Sequence, residues 1–173
     1  MSQVHSQQGV GLVEVLVAVL LLSVAVLGFS ALQLQAIKAT EESLVRTQAL
    51  SVVRGLAENM RANPLQLKAY EDTINAQTLP ADVNCGTLEA NCTADKIAIK
   101  EANAAVKKLK EYDIKINMAT CPSDINISEF SKIKCIIAAW GDTEPVMSDA
   151  DNACATSLGV YKSSSTCVIV EAY

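Results

Sequence analysis

Residues 9–38 read GVGLVEVLVAVLLLSVAVLGFSALQLQAIK, and the segment from Val15 to Leu32 holds 18 residues without one charge. At 1.5 Å per residue such a helix is about 27 Å long, close to the thickness of a bilayer core. Glu14 stands directly before this run, and Val10 to Val13 extend it on the other side. A cleaved secretory signal would have an apolar region of roughly 7–15 residues followed by small residues at a cleavage site. Here the run is longer, and Ala31 is followed by Leu-Gln-Leu-Gln-Ala, so the segment is expected to stay on the chain.

The helix is expected to continue well past the apolar run. No proline occurs before Pro64. Val45, Ala49, Val52, Val53, Leu56 and Met60 recur at helical spacing, while Arg46, Arg54, Glu58 and Arg61 fall mostly off that stripe. Pro64 disfavours the helical conformation at Asn63 and so predicts the stop. One helix from about Val10 to Asn63 would span about 80 Å. Its first half is apolar all round and its second half has one apolar face, a design for a membrane at one end and a packed domain at the other. Gly11, Gly28 and Gly55 weaken it by about 1 kcal/mol each relative to Ala, marking places for local melting or close packing.

Composition excludes several functions. The chain has 173 residues, 14 Lys+Arg, 19 Asp+Glu and a net charge of -5, which lacks the basic footprint of a nucleic-acid-binding domain. Aromatic residues make up 4%, too few for base- or sugar-stacking platforms. The single histidine is His5, so a histidine triad or a His-rich metal centre in the body of the chain is excluded by inventory. No catalytic residue, metal or cofactor is expected.

The six cysteines, Cys85, Cys92, Cys121, Cys135, Cys154 and Cys167, all follow the apolar run, and none forms a CxxC pair. Zinc-ribbon and thioredoxin-like readings therefore fail on spacing. An even number in so small a domain predicts a disulfide framework in an oxidising compartment, with buried reduced cysteines as the weaker alternative. This sets the orientation of the span. The positive-inside rule alone points weakly the other way, since residues 1–13 hold no Lys or Arg while Lys38 and Arg46 lie beyond the far end. Many pairings are open. Locality favours the sequential one, Cys85–Cys92, Cys121–Cys135 and Cys154–Cys167, in which each pair brackets a short segment.

The C-terminal body predicts an α+β domain. Leu65 to Tyr70 suit a helical turn. Thr93 to Tyr112 reads as a helix with Thr93 as its N-cap, Asp95 in its first turn, and Ile99, Ala102, Val106 and Leu109 on one face. Three strands are expected: Asp113 to Thr120 with Ile114 and Ile116 on one face, Lys132 to Trp140 with Ile133, Cys135, Ile137 and Ala139 on one face, and Thr166 to Tyr173. A long acidic loop, Gly141 to Ser165, separates the last two. Few strands close together in sequence predict a small antiparallel sheet covered by the long helix.

The stretch from Gln7 to Ile37 resembles the N-terminal signal of type IV prepilins: a short leader ending in Gly9, an apolar Val10, and Glu14 five positions after the glycine. The physical logic is plain. A carboxylate at the edge of a span is costly to bury unpaired, and a cationic N-terminal amine on a neighbouring helix is a suitable partner. Within that class, the run from Glu14 to Ala39, the Arg61-Ala-Asn-Pro64 stop and Ala138-Ala-Trp-Gly-Asp142 resemble the PilV family of type IVa minor pilins. The chain departs from that family's usual pattern in a leader with His5 rather than Lys or Arg, in Val10 where Phe is usual, and in Gly11 where Thr or Ser is usual.

The resemblance implies a pilin-like fold, in which a long helix, half membrane-embedded and half amphipathic, packs on a small antiparallel sheet domain. It implies a leader over 1–9, a helix over 10–63 whose transmembrane half runs from about 10 to 34, and a disulfide-bearing head over 64–173. Prepilin peptidase would cut between Gly9 and Val10, Val10 would become N-methylated, and Glu14 would pair with a neighbour's amine. The expected function is that of a non-enzymatic minor pilin that primes assembly or forms the pilus tip, and so supports twitching motility, adhesion and DNA uptake. Expected partners are other minor pilins, the major pilin, a tip adhesin, the inner-membrane assembly platform and membrane lipid, with no direct nucleic-acid contact. The chain would be a single-pass inner-membrane protein with a periplasmic head before assembly, and would lie on the pilus at the cell surface afterwards. Type II secretion minor pseudopilins share the N-terminal pattern and form one alternative; a membrane-anchored periplasmic binding protein forms another.

Weaker constellations carry less. Asp142, Glu144, Asp149 and Asp151 could offer oxygen ligands to calcium, but they lack the glycine and distal Glu of an EF-hand, and a solvated acidic loop is the simpler reading. Asn91-Cys-Thr93 and Asn126-Ile-Ser128 match the glycosylation triplet, which is common by chance. Lys107, Lys108 and Lys110 suit the wet face of a helix. Ser163, Ser164 and Ser165 have no general base or oxyanion motif beside them.

Overall fold

The structure is a computed structural model that describes residues 11–76, 80, 81, 83, 85, 91–122 and 133–172. Helix α1 runs Leu12–Ala62. A 3-10 turn, Pro64–Gln66, leads into α2, Leu67–Ile74, and α3 follows at Ala94–Lys110. Among the described residues five strands come next: β1 Lys115–Thr120, β2 Lys134–Ala139, β3 Glu144–Met147, β4 Ala153–Ala155 and β5 Cys167–Glu171. Two compact units part between Ser43 and Leu44, within α1.

In the first unit α1 is uninterrupted from Leu12 onward, and Gly28 does not break it. Added Cβ atoms at Gly11 and Gly28 would meet nothing within 4 Å. Hydroxyls within the helix are satisfied by the preceding turn. Ser23 Oγ donates to Val19 O at 2.8 Å, Ser30 Oγ to Val26 O at 2.9 Å and Thr40 Oγ1 to Ala36 O at 2.8 Å. A hydroxyl bonded in this way can sit in apolar surroundings without an orphaned donor.

In the second unit the rest of α1 turns one face into the head. Ala49, Val53, Leu56, Ala57 and Met60 are buried, and Val45, Leu50 and Val52 pack at the margin. Each larger side chain so buried contributes about 1.5–3 kcal/mol. The helix stops where Asn63, ahead of Pro64, leaves the helical region, which proline disfavours for the residue before it, and adopts φ -132°, ψ 59°. Asn63 Nδ2 also donates to Ala94 O at 2.9 Å, tying this end to the start of α3. α2 buries Tyr70, Thr73 and Ile74. α3 buries Ala98, Ala102, Asn103, Ala105 and Leu109. Its inner stripe is thus rotated toward alanines, with Ile99 and Val106 only half-buried at its edge. Small residues let α3 lie close to its neighbours. Thr93 holds the N-cap position, yet its side chain makes no capping bond to the backbone. Its hydroxyl instead pairs with Asp95 and helps hold that carboxyl below its ordinary pKa.

The sheet is three-stranded and antiparallel in the order β1-β2-β5. Ile136 stands opposite Met118 and Val170, and Ala138 opposite Ile116 and Val168. Ile136, Ala138, Trp140, Met118 and Val168 share the main core with the helices. The other face of β2 is buried as well. Ile137 and Ala139 form a second core with Cys154 and Cys167. The face anticipated from Ile133, Cys135, Ile137 and Ala139 is therefore this second one, and Ile133 at its end is 42% exposed.

The expected acidic loop from Gly141 to Ser165 is corrected by the structure, which places β3 and β4 within it. The two strands pair in parallel, Glu144 with Ala153 and Met147 with Ala155, with an irregularity between. They roof the outer face of the sheet, which is why β2 is apolar on both sides. Three cystines brace the head. Cys85 joins Cys92, Cys121 joins Cys135 across the β1–β2 ladder, and Cys154 of β4 joins Cys167 of β5, with Cα separations of 5.7, 5.1 and 5.8 Å.

Candidate functional site

The first unit carries the features singled out for assembly. Every Leu, Val and Phe from Leu12 to Leu34 is more than half exposed. Leaving one such side chain in water forgoes about 1.5–3 kcal/mol, so a surface of this extent demands a cover of lipid or of other apolar helices. By length and composition this is a helix that can cross a membrane. Glu14 lies in its first turn, where a carboxylate suits the positive end of the helix dipole. Its backbone N–H donates to Gly11 O at 2.9 Å, and its side chain is exposed. Gly9 and Val10, the expected cleavage and methylation residues, lie outside the described residues, as do His5 and the Asn126-Ile-Ser128 triplet.

In the head, most of the other charged constellations resolve into structural roles. Glu144 accepts from Lys115 Nζ at 2.6 Å, and Asp149 accepts from Ser157 Oγ at 3.3 Å. The four acidic residues do not converge, and among the described residues no three His, Cys, Asp or Glu side chains gather as a metal cluster. Lys108 pairs with Glu111 at 2.7 Å and lies 5.3 Å from the Tyr112 ring centroid. With Lys107 and Lys110 it occupies the last turn of α3, where cations complement the dipole. Ser165 Oγ donates to Lys162 O at 2.8 Å. Asn91 of the other triplet has φ 41° and precedes the disulfide-bonded Cys92.

Two polar anchors of the head were not anticipated from sequence. Tyr70, fully buried in α2, donates its hydroxyl to Glu101 Oε2 of α3. Burial first, and the Glu101 carboxylate second, push its pKa well above the ordinary tyrosine value. Asn75, just past α2, reaches the outer edge of β1, where its amide meets the backbone of Met118. A lone Tyr and a lone Asn carry no local motif that would have marked them.

A long apolar helix that leads into a disulfide-braced head with a three-stranded antiparallel sheet defines the pilin-like α+β class. Residues 4–30 match the family described as the prokaryotic N-terminal methylation motif. Residues 31–103 match the Tt1218-like family, described as Type IV pilin Tt1218. The two matches adjoin and support a type IV pilin, and pilins are a family of structural subunits. They imply interaction with other pilins and with prepilin peptidase, and they support membrane anchoring through α1. Neither match reaches β1 to β5. Comparison with curated proteins finds no match. Comparison with solved structures finds none either.

Proposed function

We propose that this chain is a minor pilin of the PilV kind. The observation that carries the reading is the apolar helix, exposed on all sides from Leu12 to Leu34 and bearing one carboxylate, Glu14, at its start. A helix of this kind is stable in a bilayer as a single span and equally in a bundle of similar helices. Glu14 then does what a lone carboxylate at a bundle edge can do, which is to receive the N-terminal amine of the next subunit. Cleavage after Gly9 creates that amine on Val10, and N-methylation retains its charge. The methylation-motif match over residues 4–30 supports this processing.

The three cystines support a periplasmic head before assembly, since such bonds persist in an oxidising compartment. After assembly the head lies on the fibre surface. There it contacts other minor pilins, the major pilin and a tip adhesin, having left the inner-membrane assembly platform. In this role the chain primes assembly or caps the tip, and motility, adhesion and DNA uptake depend on it through the fibre.

Mass spectrometry of the mature chain from sheared surface fibres tests the reading. A chain that begins at N-methylated Val10 and co-purifies with pilus components is expected. A chain in those fibres that still begins at Met1 or Ser2 contradicts the processing. Its recovery only with a secretion complex would reassign it as a pseudopilin.

A further inference from the structure

β5 is an edge strand of the described sheet, and among the described residues no other strand covers its open side. Trp140 N–H donates to Thr166 O at 3.0 Å and Ala172 N–H to Lys134 O at 2.8 Å, so the even-numbered residues of this segment bond to β2. The antiparallel alternation then turns the amides and carbonyls of Cys167, Ile169 and Glu171 outward. Among the described residues, two side chains bond to that edge. Ile169 N–H donates to the Tyr161 hydroxyl at 2.8 Å, and Arg61 Nη2 donates to Glu171 O at 3.1 Å.

A groove lies on each side of Tyr161. The first, about 290 Å³, is on the outer face of the sheet, with Pro122, Met147 and Leu158 in its walls. The second, about 530 Å³, is on the helix face, with Arg46, Leu50 and Lys162 in its walls. Tyr161 and Ile169 line both. Leu158 is 82% exposed and Val160 63%, an apolar rim beside an open edge. Lys162 Nζ donates to the neutral carbonyl of Ala150, and among the described residues neither Lys162 nor Arg46 is in an ion pair.

We propose that the β5 edge is a docking strand for an extended segment of a partner polypeptide in which apolar and acidic side chains alternate. A backbone carbonyl of the incoming strand takes the Ile169 N–H in place of the Tyr161 hydroxyl. Successive side chains of an added strand point to opposite faces of the sheet. Apolar ones enter the groove under Leu158, and acidic ones meet Arg46 and Lys162. Charge selects this occupant over a second copy of the chain. An edge-to-edge pair of identical copies would set β5 against β5, and the side chains of β5 on the helix face are Val168 and Val170, so neither copy would bring a carboxylate to the other's Arg46 and Lys162.

The inference rests on the second unit alone, α1 from Leu44 onward included, and stands apart from the processing of the N-terminus. The full chain in detergent micelles is titrated with a capped peptide of about ten residues that alternates Val and Glu. Its counterpart with Lys for Glu, and a version methylated on its backbone amides, serve as controls. Amide exchange at Cys167 and Glu171 is expected to slow about tenfold or more with the Val–Glu peptide only. Tyr161→Phe keeps the ring, removes the competing hydroxyl and is expected to tighten binding. Arg46→Glu, at an exposed helix position, is expected to weaken it about tenfold and to reverse the preference toward the Lys peptide. Absence of protection, or equal binding of the Glu and Lys peptides, overturns the proposal. Protection that grows with chain concentration in the absence of peptide also overturns it, in favour of self-association. Unchanged binding by Tyr161→Phe, with only a lower melting temperature, refutes the displacement of Tyr161.

Discussion

The side-chain amide of Asn75 closes both backbone hydrogen bonds of Met118, its Oδ1 accepting from Met118 N–H at 2.8 Å and its Nδ2 donating to Met118 O at 2.8 Å. Cys121 N–H donates to Ile133 O at 2.8 Å, so Met118 belongs to the set of β1 residues that face away from β2. One amide therefore pairs with the outer edge of β1 as a neighbouring strand would. It also fastens the end of α2 to the sheet.

Asn75→Ala leaves a half-buried donor and acceptor unpaired and is expected to cost about 1–3 kcal/mol. Asn75→Asp keeps the acceptor for Met118 N–H but sets a carboxylate against the Met118 carbonyl, and is expected to cost at least as much at neutral pH. Chemical denaturation midpoints measure both. A midpoint unchanged in Asn75→Ala would show that the edge contact adds nothing to stability.

The Tyr70–Glu101 bond makes stability depend on alkaline pH. Burial and the Glu101 carboxylate raise the Tyr70 pKa in the folded state. The unfolded chain loses its tyrosine protons near the ordinary value of about 10, so the raised native value favours the folded state below that pH. This contribution falls as pH climbs above about 10 and through the higher native pKa. Tyr70→Phe is expected to flatten that part of the stability profile and to cost about 1.5–3 kcal/mol at neutral pH. Thermal melts from pH 8 to 12 test the direction.

Glu14→Ala should leave the span able to insert, because it becomes more apolar. Incorporation into fibres is expected to drop by about tenfold or more, since the neighbour's amine loses its partner in a medium of low dielectric constant. Immunoblots of sheared fibres against whole membranes read the ratio. Equal incorporation of mutant and wild type would rule out the pairing.

Peptide mapping without reduction is expected to recover Cys85–Cys92, Cys121–Cys135 and Cys154–Cys167. Cys154 and Cys167 both lie in the second core with Ile137 and Ala139. The double Cys154→Ala, Cys167→Ala variant is expected to lose about 2–4 kcal/mol through the closed loop it opens and the contacts it removes. Recovery of free thiols at all six positions from exported protein would overturn the placement of the head in an oxidising compartment.

What the sequence determined by itself is local. The uncharged run from Val15 to Leu32, the absence of proline before Pro64 and the helical stripe from Val45 to Met60 are enough for α1 and its stop, because helical hydrogen bonds span only four residues. The Gly9–Glu14 spacing, together with that run, pointed to the class. Tertiary structure alone decided which face of β2 meets the helices, since both faces are apolar and alternation cannot rank them. It also decided the β3–β4 pair, where strands of four and three residues are too short to show a period. The roles of Asn75, Tyr70 and Tyr161 came from the same source. Each depends on a partner brought close by strand register and helix packing, at sequence separations of 43, 31 and 8 residues. The first two lie far apart in sequence, and the third, though local, needs the turn that brings Tyr161 back onto the edge of β5, so no local pattern marks any of them.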